Sequence, residues 1–183
     1  MFNTWRQHIS WNMRIGEIVS DFVSGAMIFG YPVKDPERYG VIEFGDGSSI
    51  KDIVEKPVNP PSNFAIPGLY LYDKTVVSRT RNLVPSDRGE LEITDLNKSY
   101  LNEDKLKVQL IGRGVAWFDA GTSESLQEAS SFIHSVEKVQ SYKIACPEEI
   151  ALRKGFINLN QYNNILEQLP SNEYKDYLFR VRK

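Results

Sequence analysis

Two segments of this chain combine residue types and spacings that could do chemistry. Arg88-Gly-Glu-Leu-Glu-Ile-Thr-Asp95 sets a guanidinium beside an acidic helix start, and Val115-Ala-Trp-Phe-Asp119-Ala-Gly-Thr122 closes an apolar run on a carboxylate at a glycine turn. A guanidinium presents a planar fork of donors to phosphate oxygens, whereas a lysine presents a point charge. A carboxylate at the end of a strand can leave the core for a crevice, and magnesium takes carboxylate oxygens while keeping several waters. With Glu55-Lys56-Pro57, these segments hold what a site for a phosphorylated ligand and a metal ion requires. Simpler readings stand beside these. Lys56 and Arg88 can be solvated surface charges, and Asp119 can cap the turn at Gly121. Spacing alone leaves both open.

The elements that must position these residues follow from hydrophobic period and turn chemistry. Ile15, Ile18, Val19 and Phe22 recur at helical spacing and predict a short amphipathic helix. Residues 26–33 read as a buried strand and residues 35–39 as a connecting turn. The β-type runs 40–44 and 50–54 flank Gly45-Asp-Gly-Ser-Ser49, which predicts an antiparallel hairpin. A proline-rich loop at 57–61 leads to a strand over 64–72, where Pro67-Gly68 predicts a bulge or edge position. Asp73 is placed to cap a helix running through Val76, Val77 and Leu83. Residues 91–101 read as a helix, and 106–111 and 115–118 as strands. Thr122 is an N-cap with Glu124 in the first turn, opening a helix that buries Leu126, Ala129, Ile133 and Val136, with Phe132 at the border. The tail reads as short helices at 148–154, 161–169 and 173–180, with Asn160 capping the middle one and Pro170 following it. Interleaved strands and helices predict an α/β fold with a mixed sheet, its antiparallel part supplied by the hairpin.

Composition narrows the function classes. The 183 residues carry 41% hydrophobic and 25% charged side chains, ordinary for a soluble domain. A net charge of −2 and a pI near 5.8 give no general attraction for nucleic acid or anionic membrane. No apolar run reaches the roughly 20 residues of a membrane helix. Cys146 is the single cysteine, so no internal disulfide forms and a cytoplasmic location is expected. It has no neighbouring base and precedes a proline, which suits an inert core thiol. His8 and His134 have no partner at metal-binding or nucleophilic spacing. Glu90, Glu92 and Asp95 favour a helix start, and Trp117 reads as a packing residue.

A set of strings, in order, carries a resemblance: Asp35-Pro-Glu-Arg-Tyr-Gly-Val41, Glu55-Lys-Pro57, Gly68-Leu-Tyr70, Arg88-Gly-Glu-Leu-Glu-Ile-Thr-Asp95, Gly112-Arg-Gly114, Ala116-Trp-Phe-Asp119, Gly121-Thr122 and Cys146-Pro-Glu-Glu-Ile150. From about Ser24 onward the chain resembles the C-terminal portion of glucose-1-phosphate thymidylyltransferases, which are sugar nucleotidyltransferases. The resemblance implies a Rossmann-like mixed sheet flanked by helices. It also implies a magnesium-dependent reaction of dTTP with glucose 1-phosphate, giving dTDP-glucose and pyrophosphate at the entry to dTDP-rhamnose synthesis. By the same resemblance Asp119 is the magnesium ligand, and Lys56 and Arg88 are catalytic residues on the sugar phosphate. Glu55 meets sugar hydroxyls, Gly40 lets backbone approach the sugar, and Ile66 makes a backbone contact. Tyr70 matches a residue lining the sugar pocket, its alternative being a strand aromatic in the core. Pro67 stands where the family usually has threonine. A regulatory site at a subunit interface carries over to Arg113, Glu149, Ile150 and Arg153.

The expected organisation is a poorly matching lead at 1–24, a sugar-phosphate-binding part at 25–145 and a C-terminal helical segment at 146–183. The family's nucleotide site uses a Gly-Gly-x-Gly-Thr-Arg loop, a downstream lysine and a second metal-binding aspartate in Gly-Asp-Asn. None of these strings occurs in the 183 residues. The expectation is therefore an incomplete Rossmann-like sheet in a truncated copy, inactive alone, that forms a homo-oligomer or joins a missing N-terminal half. The alternative is a non-catalytic module that binds sugar phosphate or dTDP-sugar, or that serves oligomerisation.

Overall fold

The computed structural model describes residues 15–86 and 89–182. Its first unit, ending at Trp117, is organised around β1 (Ala26–Pro32). The remaining strands are β2 (Gly40–Phe44), β3 (Ile50–Glu55), β4 (Phe64–Ala65), β5 (Tyr70–Tyr72) and β6 (Leu106–Leu110). They form a six-stranded sheet in the order β3-β2-β4-β1-β5, with β6 on β1. β6 runs parallel to β1, from Ala26 opposite Leu106 to Gly30 opposite Leu110, and the other pairings are antiparallel. The sheet is mixed, as the interleaved pattern predicts.

The predicted hairpin is β2–β3. Its turn passes through Gly47 at φ 64°, a left-handed backbone that glycine adopts without steric cost. The single strand predicted over 64–72 is broken where its proline demands. Ala65 pairs with Tyr31 and Tyr70 with Ile28, so residues 66–69 face only 29–30 and bulge from the ladder. Pro67 cannot donate a ladder bond, and the Ile66 N–H goes instead to the Gly40 carbonyl at 2.9 Å. The break thus ties β4 to the hairpin.

Three helices accompany this sheet: α1 (Ile15–Asp21), α2 (Val76–Arg81) and α3 (Ile93–Leu101). Asp73 does not occupy the N-cap position of α2; Thr75 does. The Asp73 carboxylate accepts from the Thr75 N–H at 2.9 Å and from the Gly25 N–H at 2.8 Å, fastening the helix entrance to the start of β1. Leu83 lies past the helix end, yet packs with Tyr72 and Val76 against Ala26, Leu96 and Tyr100. A second cluster joins Ile28, Ile42, Ile53 and Ile66, each contributing about 2 kcal/mol by burial. Asn97 is 1% exposed and accepts the Tyr72 hydroxyl at 2.6 Å, so this buried polar group is satisfied.

Residues 115–118 form no strand, contrary to the sequence reading. Among the described residues no strand runs beside them to pair with their backbone. The segment is anchored by side chains instead: the Tyr31 hydroxyl donates to the Val115 carbonyl at 3.1 Å, and the Trp117 ring meets Tyr31 and Tyr39 edge-on at 5.7 and 5.1 Å.

The second unit begins at Phe118 and contains α4 (Ser123–Gln140), α5 (Pro147–Arg153), α6 (Leu159–Gln168) and α7 (Glu173–Val181). α4 groups with the C-terminal helices in this unit. Thr122 caps α4 as expected, in a reciprocal pair with Ser125. The stripe on α4 is not buried: Leu126 is 55%, Phe132 44% and Ile133 39% exposed. Periodicity marks an apolar face, but does not supply the surface that covers it. α6 starts two residues before its predicted start, because Asn158 and Gln161 form the capping box that Asn160 has no partner to make. Cys146 is buried with Tyr162, Leu166, Tyr177 and Leu178, the core position expected of it.

Candidate functional site

Register places Gly40 on β2 directly opposite Glu55 on β3. Thr94, in the first turn of α3 and 4% exposed, donates its hydroxyl to Glu55 Oε2 at 2.5 Å. A Cβ at Gly40 would lie 3.1 Å from that carboxylate oxygen, 3.4 Å from Thr94 Oγ1 and 3.9 Å from Ile66 Cδ1. Glycine is therefore required there for the carboxylate to sit where it does. Burial raises the Tyr70 phenol pKa, and the Glu55 charge raises it further, which puts the ring within electrostatic reach of Glu55. Gly40, Glu55, Ile66, Tyr70 and Thr94 thus converge in the first unit. A carboxylate with one oxygen fixed, beside apolar and aromatic surface, can accept hydrogen bonds from a hydroxylated ligand.

Lys56 follows immediately, exposed, with its N–H bonded to the Tyr39 carbonyl at 2.9 Å and its backbone at φ 43°. Arg88 lies outside the described residues. Its flanks are pinned: the Ser86 N–H donates to the Glu90 carbonyl at 2.8 Å, the Ser86 hydroxyl to Glu92 at 2.8 Å, and Gly89 takes φ 77°. Glu92 occupies the N-cap position of α3 and Asp95 its first turn, the structural roles expected of them.

Asp119 lies in the second unit, exposed, with its carboxylate over Gly121, where a Cβ would come within 3.3 Å of Oδ1. Among the described residues no three His, Cys, Asp or Glu side chains gather as a metal cage. That rules out a closed protein-only centre among them. One protein carboxylate still fits magnesium, which takes its other ligands from water and substrate phosphates.

The nucleotidyl transferase family profile matches residues 13–136. The chain belongs to the nucleotidyl transferase family. Within that family it is 47% identical over 159 residues to a glucose-1-phosphate thymidylyltransferase of Neisseria meningitidis, covering 87% of this chain and 55% of that protein. A relative of the same name from Mycolicibacterium smegmatis is 44% identical over 161 residues, covering 88% of this chain and 56% of the relative. The chain spans about half the length of the curated relatives it matches. A Bacillus anthracis structure assigned as a glucose-1-phosphate thymidylyltransferase, solved with sucrose, superposes with a TM-score of 0.57 at 42% identity, over 64% of this chain and 47% of that one. A UDP-glucose pyrophosphorylase with UDP-glucose reaches a TM-score of 0.58 at 22% identity, over 69% of this chain and 52% of that one, a likeness of fold alone.

In this member of the nucleotidyl transferase family the regulatory candidates fall in different units. Glu149, Ile150 and Arg153 lie on α5, where Arg153 Nε donates to Glu149 Oε1 at 2.7 Å and the Tyr177 hydroxyl donates to Glu149 Oε2. Arg153 also borders a cavity of about 360 Å³ with Tyr142 and Arg180. Arg113 belongs to the first unit. Sequence reasoning did not single out Thr94 or Tyr177. A threonine in a first helical turn is a weak signal, and its partner Glu55 is 39 residues away.

Proposed function

We propose that this chain carries the sugar-phosphate side of a glucose-1-phosphate thymidylyltransferase. The observation that carries the reading is the Gly40–Glu55–Thr94 arrangement beside Ile66 and Tyr70, in a chain nearly half identical to proteins of that name. Glu55 accepts from sugar hydroxyls, with Tyr70 and Ile66 as the pocket wall. The Ile66 N–H is already bonded to Gly40, so a backbone contact from Ile66 falls to its carbonyl. Lys56 and Arg88 bind the phosphate of glucose 1-phosphate and orient its oxygen toward the α-phosphorus of dTTP. That oxygen is anionic near neutral pH, so these residues position and neutralise rather than remove a proton. Asp119 contributes one ligand to magnesium, whose chemistry is charge neutralisation at the phosphates. By the same reading Arg113, Glu149, Ile150 and Arg153 are each regulatory residues of a cytoplasmic homo-oligomer.

Calorimetry with glucose 1-phosphate and a turnover assay with dTTP and magnesium test the reading. The chain is assayed alone and mixed with a polypeptide bearing the glycine-rich loop. Binding by the chain, with turnover only in the mixture, is the expected result. Absence of any glucose 1-phosphate binding overturns the assignment. A second reading, as a sugar-phosphate-binding module, rests on the same Gly40–Glu55–Thr94 arrangement. Binding without turnover in every mixture would establish that one.

A further inference from the structure

Glu55 ends β3 with its side chain against Gly40 and Thr94. Successive side chains of an extended strand point to opposite faces, so the next residue would normally face away from any ligand held at Glu55. The backbone departs from that alternation at this step: Lys56 takes φ 43°, in the left-handed region that long side chains avoid. Pro57 follows, buried, and a residue before proline is pushed toward extended backbone, which makes the left-handed state at Lys56 doubly unfavourable. Something must hold it. The Lys56 N–H is bonded to the Tyr39 carbonyl at 2.9 Å, and the Tyr39 ring is packed edge-on against Trp117 at 5.1 Å, with the Arg38 guanidinium 5.5 Å from its centre. Strain that persists because its surroundings over-determine it is a mark of a site whose geometry matters.

We infer that the left-handed turn at Lys56, clamped by the Tyr39 carbonyl and buried Pro57, is a positioning device that lets the consecutive residues Glu55 and Lys56 serve one ligand. The inference rests on the reading of Glu55 and Lys56 as sugar and phosphate contacts. It adds Pro57 and Tyr39 as positioning residues that need not touch the substrate. Without the clamp, Lys56 relaxes toward extended backbone, whose alternation turns its side chain to the face opposite Glu55.

Chemical denaturation of Lys56→Gly and Lys56→Ala tests the strain. At an ordinary extended position glycine is the less stable of the two; at a left-handed one the order reverses. A higher denaturation midpoint for Lys56→Gly is expected, and an equal or lower one overturns the inference. Titration of the Pro57→Ala chain with glucose 1-phosphate tests the consequence, since Glu55 and Lys56 are both retained. Affinity falls by about tenfold if the productive backbone becomes a minority state; unchanged affinity sinks the positioning role. Lys56→Gln separates the two layers. If it binds glucose 1-phosphate like the parent chain, the phosphate role of Lys56 is wrong, whatever the order of the glycine and alanine variants. Should Pro57→Ala fail to fold, the glycine–alanine comparison still decides the question of strain.

Discussion

Thr94 reaches from the first turn of α3 to donate its hydroxyl to Glu55 Oε2 at 2.5 Å, directly above the glycine that faces Glu55 across the hairpin. The carboxylate is held from the helix side by a donor and on the sheet side by the absence of a side chain.

Gly40→Ala should separate binding from folding. The added methyl group would lie 3.1 Å from Glu55 Oε2, so the carboxylate must shift by a few tenths of an ångström or more. Stability should change by no more than about 1 kcal/mol, since alanine also lowers the entropy of the unfolded chain. Affinity for glucose 1-phosphate should fall by about tenfold or more. Calorimetric titration beside a urea melt measures both quantities.

Tyr72→Phe removes the donor to buried Asn97, which the wild-type hydroxyl reaches at 2.6 Å. Leaving a buried amide oxygen without that bond should cost about 1–3 kcal/mol. The loss should appear as a lower urea midpoint at unchanged m-value. A change within error would show that Asn97 finds another partner.

The pH dependence of stability should report on Asp73. The Thr75 hydroxyl, then the Gly25 N–H, hold its carboxyl at about 2, below its ordinary 3.8. A depressed folded-state value means the contribution is complete above the unfolded value and is lost as pH falls from 3.8 toward 2. The carboxylate is partly solvated, so the contribution is about 1 kcal/mol. Asp73→Asn should be less stable than the parent near neutral pH, and the two should converge at the acid end of a urea-midpoint series.

Asp119→Asn should weaken magnesium binding while leaving the thermal midpoint within about 1–2 °C, because the side chain is exposed. Titration with manganese as a spectroscopic stand-in reads the metal directly, independent of turnover. Equal binding by both proteins would reduce Asp119 to a turn residue over Gly121.

Cys146 should react with a thiol reagent at the rate of unfolding rather than of encounter. It is buried among Tyr162, Leu166, Tyr177 and Leu178, with Tyr174 Oη 3.2 Å from its sulfur. Rapid labelling in native buffer would mean that this helical core opens locally.

What the sequence made legible is what local signals encode. The hairpin follows from its Gly-Asp-Gly turn, the interruption at 66–69 from Pro67, and the start of α4 from Thr122 and Ser125. Gly40, Glu55 and Tyr70 lie in the quoted motif strings and Ile66 follows from the resemblance they carry, and the fold brings the four together. Their arrangement was not legible. The Thr94–Glu55 bond joins a helix to a strand across 39 residues, and no periodicity encodes such a pair. The strand expected at 115–118 lacks a pairing neighbour among the described residues. The stripe on α4 is amphipathic without being covered there. In both cases local pattern states a capacity that only a partner surface can realise.

β1 pairs with β4, β5 and β6, yet none of Gly40, Glu55, Lys56, Ile66, Tyr70 and Thr94 lies on it. The strand that organises the sheet and the residues of the proposed sugar-phosphate site are therefore different parts of the chain. Residues at the hairpin and the bulge can therefore change, and with them what the proposed site accepts, while the scaffold's central rod keeps its own.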